Sequence, residues 1–96
     1  MTYEQAKNHS GVTLVEFYAS WCPHCQRMEP VVEEIKELTG GKIAVCQYDI
    51  DEHPREAEDA GADTIPTFII YRDGREVWRH VGEVASDELL AALQMS

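Results

Sequence analysis

The sequence contains no apolar stretch near the roughly 20 residues that a membrane-spanning helix needs, which excludes a bilayer span. Basic residues are scarce: 8 Lys and Arg stand against 18 Asp and Glu, for a net charge of -10. Nucleic acid and anionic membrane surfaces both demand a positive face, so neither is an expected partner. The acids are spread along the chain (Glu33-Glu34, Asp49, Asp51-Glu52, Glu56, Glu58-Asp59). That spread describes a solvated surface more than a binding tail, and it disfavours strongly acidic substrates. The segment Met1-Thr2-Tyr3-Glu4-Gln5 lacks a basic region leading into an apolar one. A secretory signal is therefore not expected, and a cytoplasmic location is, unless a leader has been removed. There are only 3 cysteines, an odd and small set, which argues against a structural disulfide framework. No internal repeat or low-complexity linker breaks the chain.

With 96 residues, 44% of them hydrophobic, the chain can fill one modest core, so a single domain over residues 1–96 is expected. Thr2 to His9 reads as a short helix with Thr2 and Gln5 at capping-box spacing. Val12 to Tyr18 is a nearly continuous apolar run, the pattern of a strand buried on both faces. Pro23 to Thr39 follows as a helix, with Pro23 at the first position, where its missing N–H costs nothing. Its apolar stripe is Met28, Val31, Val32, Ile35 and Leu38. Pro30 is expected to kink it, and Gly40-Gly41 to stop it. Ile43 to Ile50 reads as a second buried strand and Pro54 to Ala60 as a short helix. Thr67 to Tyr71 and Glu76 to Val81 flank an Asp73-Gly74 turn, a hairpin signature. Ser86 is expected to cap a final helix in which Leu89, Leu90 and Leu93 face inward. The order α-β-α-β-α-β-β-α, with a parallel first pair and an antiparallel last pair, predicts an α/β fold with a mixed sheet covered by helices on both faces.

The residues with most chemistry are Trp21-Cys22-Pro23-His24-Cys25. Two cysteines lie one helical turn apart at a strand-to-helix junction. Unpaired N–H groups make a helix N-terminus electropositive, which favours the reactive thiolate. The competing reading, half of a zinc site, needs two further ligands, and the sequence has no second Cys-x-x-Cys and no His-x-x-x-His. Glu16 points inward from a strand, and a buried carboxyl takes a proton more readily than an exposed one; reaching solvent in a purely structural role is the alternative. Cys46, mid-strand among Ile43, Val45 and Tyr48, reads as a buried, inert thiol. His9, His53 and His80 read as surface residues.

In order along the chain, Val15-Glu16-Phe17-Tyr18-Ala19, Trp21-Cys22, Pro30, Asp49-Ile50-Asp51, Ile65-Pro66-Thr67, Asp73-Gly74 and Val81-Gly82 resemble the thioredoxin family over roughly residues 10 to 95. Three features depart from it. The N-terminus is too short for the family's first strand, so a four-stranded sheet is expected. Pro23-His24 replaces the usual Gly-Pro. Glu16 replaces a buried Asp, and Gln47 stands where many members carry a Lys. Pro-His and a buried Glu look like the disulfide-donating oxidases of the bacterial periplasm; Trp21, the small size and Ile65 look like thioredoxin.

The resemblance implies a thiol–disulfide oxidoreductase that reduces protein disulfides. Cys22 would be the exposed nucleophile and Cys25 the resolving thiol. Glu16 would help deprotonate Cys25 through water. His24 would favour the Cys22 thiolate, making the couple more oxidising than an ordinary thioredoxin. Pro66 would be cis, and Ile65 would offer backbone groups to an extended substrate peptide, with Trp21, Pro23 and Gly82 along the same groove. Without the resemblance, Ile65-Pro66-Thr67 is a strand start and Trp21 is packing. The implied partners are disulfide-containing proteins and a flavoprotein thioredoxin reductase or another electron donor. No cofactor would be bound to the chain, which would act as a monomer. Two alternatives stand beside this: a disulfide donor or isomerase on the same fold, and a non-catalytic module that uses the cysteines to bind metal or peptide.

Overall fold

Strand β1 (Val12–Tyr18) organises the molecule, because it is nearly all apolar and is buried along its five central residues. A computed structural model describes residues 2–96. Preceding β1 is helix α1 (Tyr3–Asn8), for which Thr2 is the N-cap. The Thr2 side chain accepts from the Gln5 N–H at 3.2 Å, and the Gln5 Oε1 accepts from the Thr2 N–H at 2.9 Å. This reciprocal pair satisfies two orphan donors and sets where the helix starts. After β1 come α2 (Pro23–Thr39), β2 (Ala44–Asp49), α3 (Pro54–Ala60), β3 (Thr67–Arg72), β4 (Arg75–Val81) and α4 (Ser86–Gln94).

The four strands form one sheet in the order β2-β1-β3-β4. β1 pairs with β2 in parallel and with β3 antiparallel, and β3 pairs antiparallel with β4. Strand side chains alternate between faces, and β1 divides its residues accordingly. Val15 and Phe17 join Tyr3, Ala6, Tyr48, Ala57, Ala60, Ile69 and Tyr71 in a core under α1 and α3. Leu14 joins Met28, Val32, Ile35, Phe68, Ile70, Leu89 and Leu93 under α2 and α4. Glu16 shares the parity of Leu14 and so faces α2. Phe17 is wholly buried, and removing such an aromatic from a core costs about 3–5 kcal/mol. At the β3–β4 turn Asp73 and Gly74 take φ of 51° and 85°, the left-handed pair that a two-residue hairpin requires.

Several expectations change. β2 is an edge strand and only half-buried, so Cys46 is half-buried too. Leu38 does not join the apolar stripe but is 57% exposed, in the last turn of α2. Pro30 lies inside α2, as expected, on its solvent side. The N-cap of α4 is Ala85, with no side-chain capping bond, and Ser86 is already helical. His53 and His80 are half-buried at the surface, each with a specific partner. His53 Nδ1 lies 2.9 Å from Glu56 Oε2, and His80 Nε2 lies 2.9 Å from the Glu83 carbonyl oxygen. The Trp78 ring stacks on His80 at 5.9 Å.

Candidate functional site

The chain leaves β1 at Tyr18, turns through Ala19 and Ser20, and enters α2 with Cys22 as its N-cap. An N-cap residue keeps extended backbone angles while its side chain accepts from the first helical turn; here φ is -87° and ψ 115°. A sulfur takes the place usually filled by a Ser or Asp oxygen. Cys22 Sγ accepts the Cys25 backbone N–H at 3.3 Å. Both thiols are free and each residue is 4% exposed. Cys22 is therefore not the open thiol expected. It packs with Ala19 and Cys25, and Tyr18, Ile50 and Ile65 close over that cluster.

Around the pair, Trp21 is 63% exposed, and its indole N–H donates to Asp51 Oδ2 at 2.8 Å. The Ile65–Pro66 peptide bond is cis. The Pro66 carbonyl accepts from the Gly82 N–H at 2.8 Å, which ties the segment after β4 to the start of β3. Of these residues, Ile65 packs against the cysteine cluster from a segment distant in sequence, and Trp21 is the chain neighbour of Cys22. Pro23 is exposed at the first position of α2.

Cys25 and Glu16 line a common cavity of about 280 Å³ with Tyr18, Ala19, Glu29, Glu33 and Gln47. A polar space of that size holds water. Parallel register sets Glu16 beside Gln47, and Gln47 Nε2 donates to Glu16 Oε1 at 2.9 Å. Lys36 Nζ in turn donates to Gln47 Oε1 at 3.2 Å and to Glu33 Oε1 at 3.1 Å. A cation is therefore near the acid after all, supplied by α2 and relayed through the Gln47 amide. Burial pushes the Glu16 carboxyl up to about 7; Glu29 adds to this, while Gln47 and Lys36 oppose it. Burial first, then the Cys22 sulfur, pushes the Cys25 thiol up to about 12. The result is a poor acid facing a carboxylate that exchanges its proton near neutral pH.

His24 is not turned toward the Cys22 sulfur by any hydrogen bond among the described residues. Its Nδ1 lies 2.8 Å from Glu83 Oε2 and 2.8 Å from Arg27 Nη2. Arg27 Nε donates to the same Glu83 oxygen at 3.0 Å. The sequence reading missed Arg27, Glu83, Lys36 and Asp51. Arg27 could have been found, since it lies three residues from His24 on one helix. Glu83 could not, because only the tertiary fold delivers it. Among the described residues no group of three or more His, Cys, Asp or Glu is arranged to hold a metal ion. No described helix is long and apolar enough to cross a membrane.

Comparison with known proteins agrees with this geometry. The family model Thioredoxin matches residues 2–95. A thioredoxin of Chlamydia muridarum is 43% identical over 82 residues, covering 84% of this chain and 78% of that one. A thioredoxin of Alicyclobacillus acidocaldarius is 35% identical over 91 residues, covering 95% and 87%. A solved structure of a thioredoxin variant from Halobacterium salinarum superposes with a TM-score of 0.87 at 35% identity, covering 95% of this chain and 79% of that one.

Proposed function

The chain belongs to the thioredoxin family, a family of thiol–disulfide oxidoreductases, and from that premise we propose that it reduces disulfide bonds in proteins through Cys22 and Cys25. One observation carries this reading: Cys22 Sγ caps α2 and accepts the Cys25 N–H at 3.3 Å, where helix-end donors stabilise a thiolate. The Cys22 thiolate attacks one sulfur of the substrate disulfide, and the other sulfur leaves as a thiolate. Glu16, through water in the shared cavity, takes the Cys25 proton. The Cys25 thiolate then attacks Cys22 Sγ, releasing the second substrate thiol and leaving a Cys22–Cys25 disulfide. Two electrons have passed to the substrate. A flavoprotein thioredoxin reductase or another dithiol donor returns them.

The groove bordered by Trp21, Pro23, Ile65, Pro66 and Gly82 receives an extended substrate segment, with Ile65 offering backbone groups as in strand addition. The half-buried state of Ile65 beside the cysteine cluster supports that placement. The whole of residues 1–96 acts as one domain and as a monomer, in a reducing compartment such as the cytoplasm. The couple is more oxidising than that of an ordinary thioredoxin, because a Cys22 sulfur held by the helix-end N–H stabilises the reduced form.

The test is turnover of insulin disulfides with NADPH and a thioredoxin reductase, together with the potential of the Cys22–Cys25 couple against glutathione. The reading expects turnover and a value between about -270 and -180 mV. A value near -120 mV, typical of a periplasmic oxidase, would assign the protein to disulfide donation. Failure to exchange with any disulfide, with metal bound on purification, would assign it to metal carriage.

A further inference from the structure

We infer that Glu83 is a positioning residue for the redox couple: its carboxylate gathers the two basic side chains on the first turns of α2, His24 and Arg27, and so withholds their positive charge from the Cys22 sulfur. The consequence is a dithiol less oxidising than the Cys-Pro-His-Cys loop would make it without Glu83. This rests on the reading of Cys22 and Cys25 as an exchange couple.

The geometry is a three-way knot at the mouth of the site. Glu83 Oε2 lies 2.8 Å from His24 Nδ1 and accepts from Arg27 Nε at 3.0 Å, while Arg27 Nη2 lies 2.8 Å from His24 Nδ1. One ring nitrogen cannot serve both neighbours at once. Protonated, Nδ1 donates to Glu83; unprotonated, it accepts from Arg27. In both states Glu83 holds Arg27, and His24 stays within the knot. Glu83 is itself anchored. Its chain neighbour Gly82 is bound to the Pro66 carbonyl at 2.8 Å, and its own carbonyl lies 2.9 Å from His80 Nε2.

Charge accounting gives the sign. Arg27 lies within electrostatic reach of Cys22, whose charge, after that of Glu83, helps hold the guanidinium proton. Glu83 remains ionised, its carboxyl held below the usual range first by Arg27 and then by His24. The other ionisable groups near this corner are Cys25, Glu16 across the cavity with Lys36 behind it, Asp51, which the Trp21 indole occupies, and His80, whose Nε2 meets the Glu83 carbonyl oxygen. His80 binds the Glu83 backbone and Lys36 is held by Glu33 and Gln47, so the basic groups that the Glu83 carboxylate itself holds are His24 and Arg27. The reduced form alone carries the Cys22 thiolate, because the disulfide is neutral. Any net positive charge beside Cys22 therefore favours the dithiol and makes the couple a stronger oxidant. Removing the Glu83 charge frees that positive charge. The knot is exposed, with side-chain exposures of 62% for His24, 55% for Arg27 and 39% for Glu83, so the effect is modest and sensitive to salt.

The experiment equilibrates the protein with reduced and oxidised glutathione at pH 7 and low ionic strength and counts the alkylated thiols by mass. Glutathione disulfide gains two electrons and two protons as Cys22–Cys25 closes. Glu83→Gln is expected to shift the equilibrium at least threefold toward the dithiol, equivalent to about 14 mV. The same substitution in a His24→Gln, Arg27→Gln background is expected to shift it less than 1.5-fold, because the charges it releases are gone. No shift, or a shift toward the disulfide, overturns the inference. So does an undiminished shift in the double-variant background, which would assign the effect to loop packing or to the field of Glu83 alone. Failure of the unsubstituted protein to equilibrate with glutathione at all would instead overturn the exchange reading beneath it.

Discussion

Cys22 and Cys25 stand three residues apart on one helix, yet they occupy opposite electrical environments. On the Cys22 side the governing charges, Arg27, Glu83 and His24, are at the surface, already paired, and free to rearrange. On the Cys25 side the nearest carboxylate is Glu16, itself only 3% exposed although the cavity it lines is partly open. The same unit of charge acts weakly through water and strongly where water is scarce. On the proposed reading, the first environment would tune an equilibrium by small amounts and the second would control a proton by large ones. That division would suit a nucleophile at Cys22 and a resolving thiol at Cys25.

Substituting each thiol tests the contrast most severely. Cys22→Ser is expected to abolish disulfide reduction, and Cys25→Ser to accumulate a mixed disulfide on Cys22, visible by mass spectrometry after reaction with a disulfide substrate. Accumulation on the Cys22→Ser variant instead would reverse the assignment of the two sulfurs.

Next in size is the pH dependence of stability. Glu16 ionises at about 7 in the folded chain against a reference of 4.5. The unfolded chain therefore loses this proton first as pH rises. The stability contributed by the protonated acid is complete below about pH 4.5, falls between there and pH 7, and is gone above. The loss is about 3 kcal/mol. Urea unfolding across that range is expected to show the fall in the native chain and a flat profile in Glu16→Gln, which at pH 8 is the more stable of the two. Equal profiles would mean that Glu16 is solvated.

The same Glu16→Gln substitution is expected to slow resolution of the mixed disulfide by about a hundredfold, with a smaller change in its formation. Stopped-flow separation of the two steps checks this, and an equal slowing of both would erase the distinction between the two sides. The smallest effect is that of salt. Raising ionic strength from low to 0.5 M is expected to move the glutathione equilibrium of the native chain only slightly, and to remove most of the shift caused by Glu83→Gln. The Glu16 pH profile is expected to be much less sensitive. Equal salt sensitivity on both sides would show that the cavity is as wet as the surface.

Much of this was legible before any coordinates. The strand at Val12–Tyr18, the helix start at Pro23 and the Asp73-Gly74 hairpin follow from local pattern and turn chemistry, and the structure has each. The cis bond at Pro66 came from family resemblance, and the four-stranded sheet from the strands read along the chain, as a departure from the family; both are present. Burial was less legible. Cys22 and β2 were each misjudged, one as exposed and the other as buried, because burial depends on which neighbours close over a residue. Ile65 and Ile50 come from elsewhere in the chain to cover Cys22, and β2 has no strand on its outer side.

Read alone, the chain specifies its elements, its reactive dithiol and the helix end on which that dithiol sits, since all three depend on residues within one or two turns of each other. What those residues meet was settled only in three dimensions. Gln47 reaches Glu16 across 31 positions and Glu83 reaches Arg27 across 56. Electrostatics falls off with distance in space, not along the chain, so the tuning of a thiol belongs to the folded molecule.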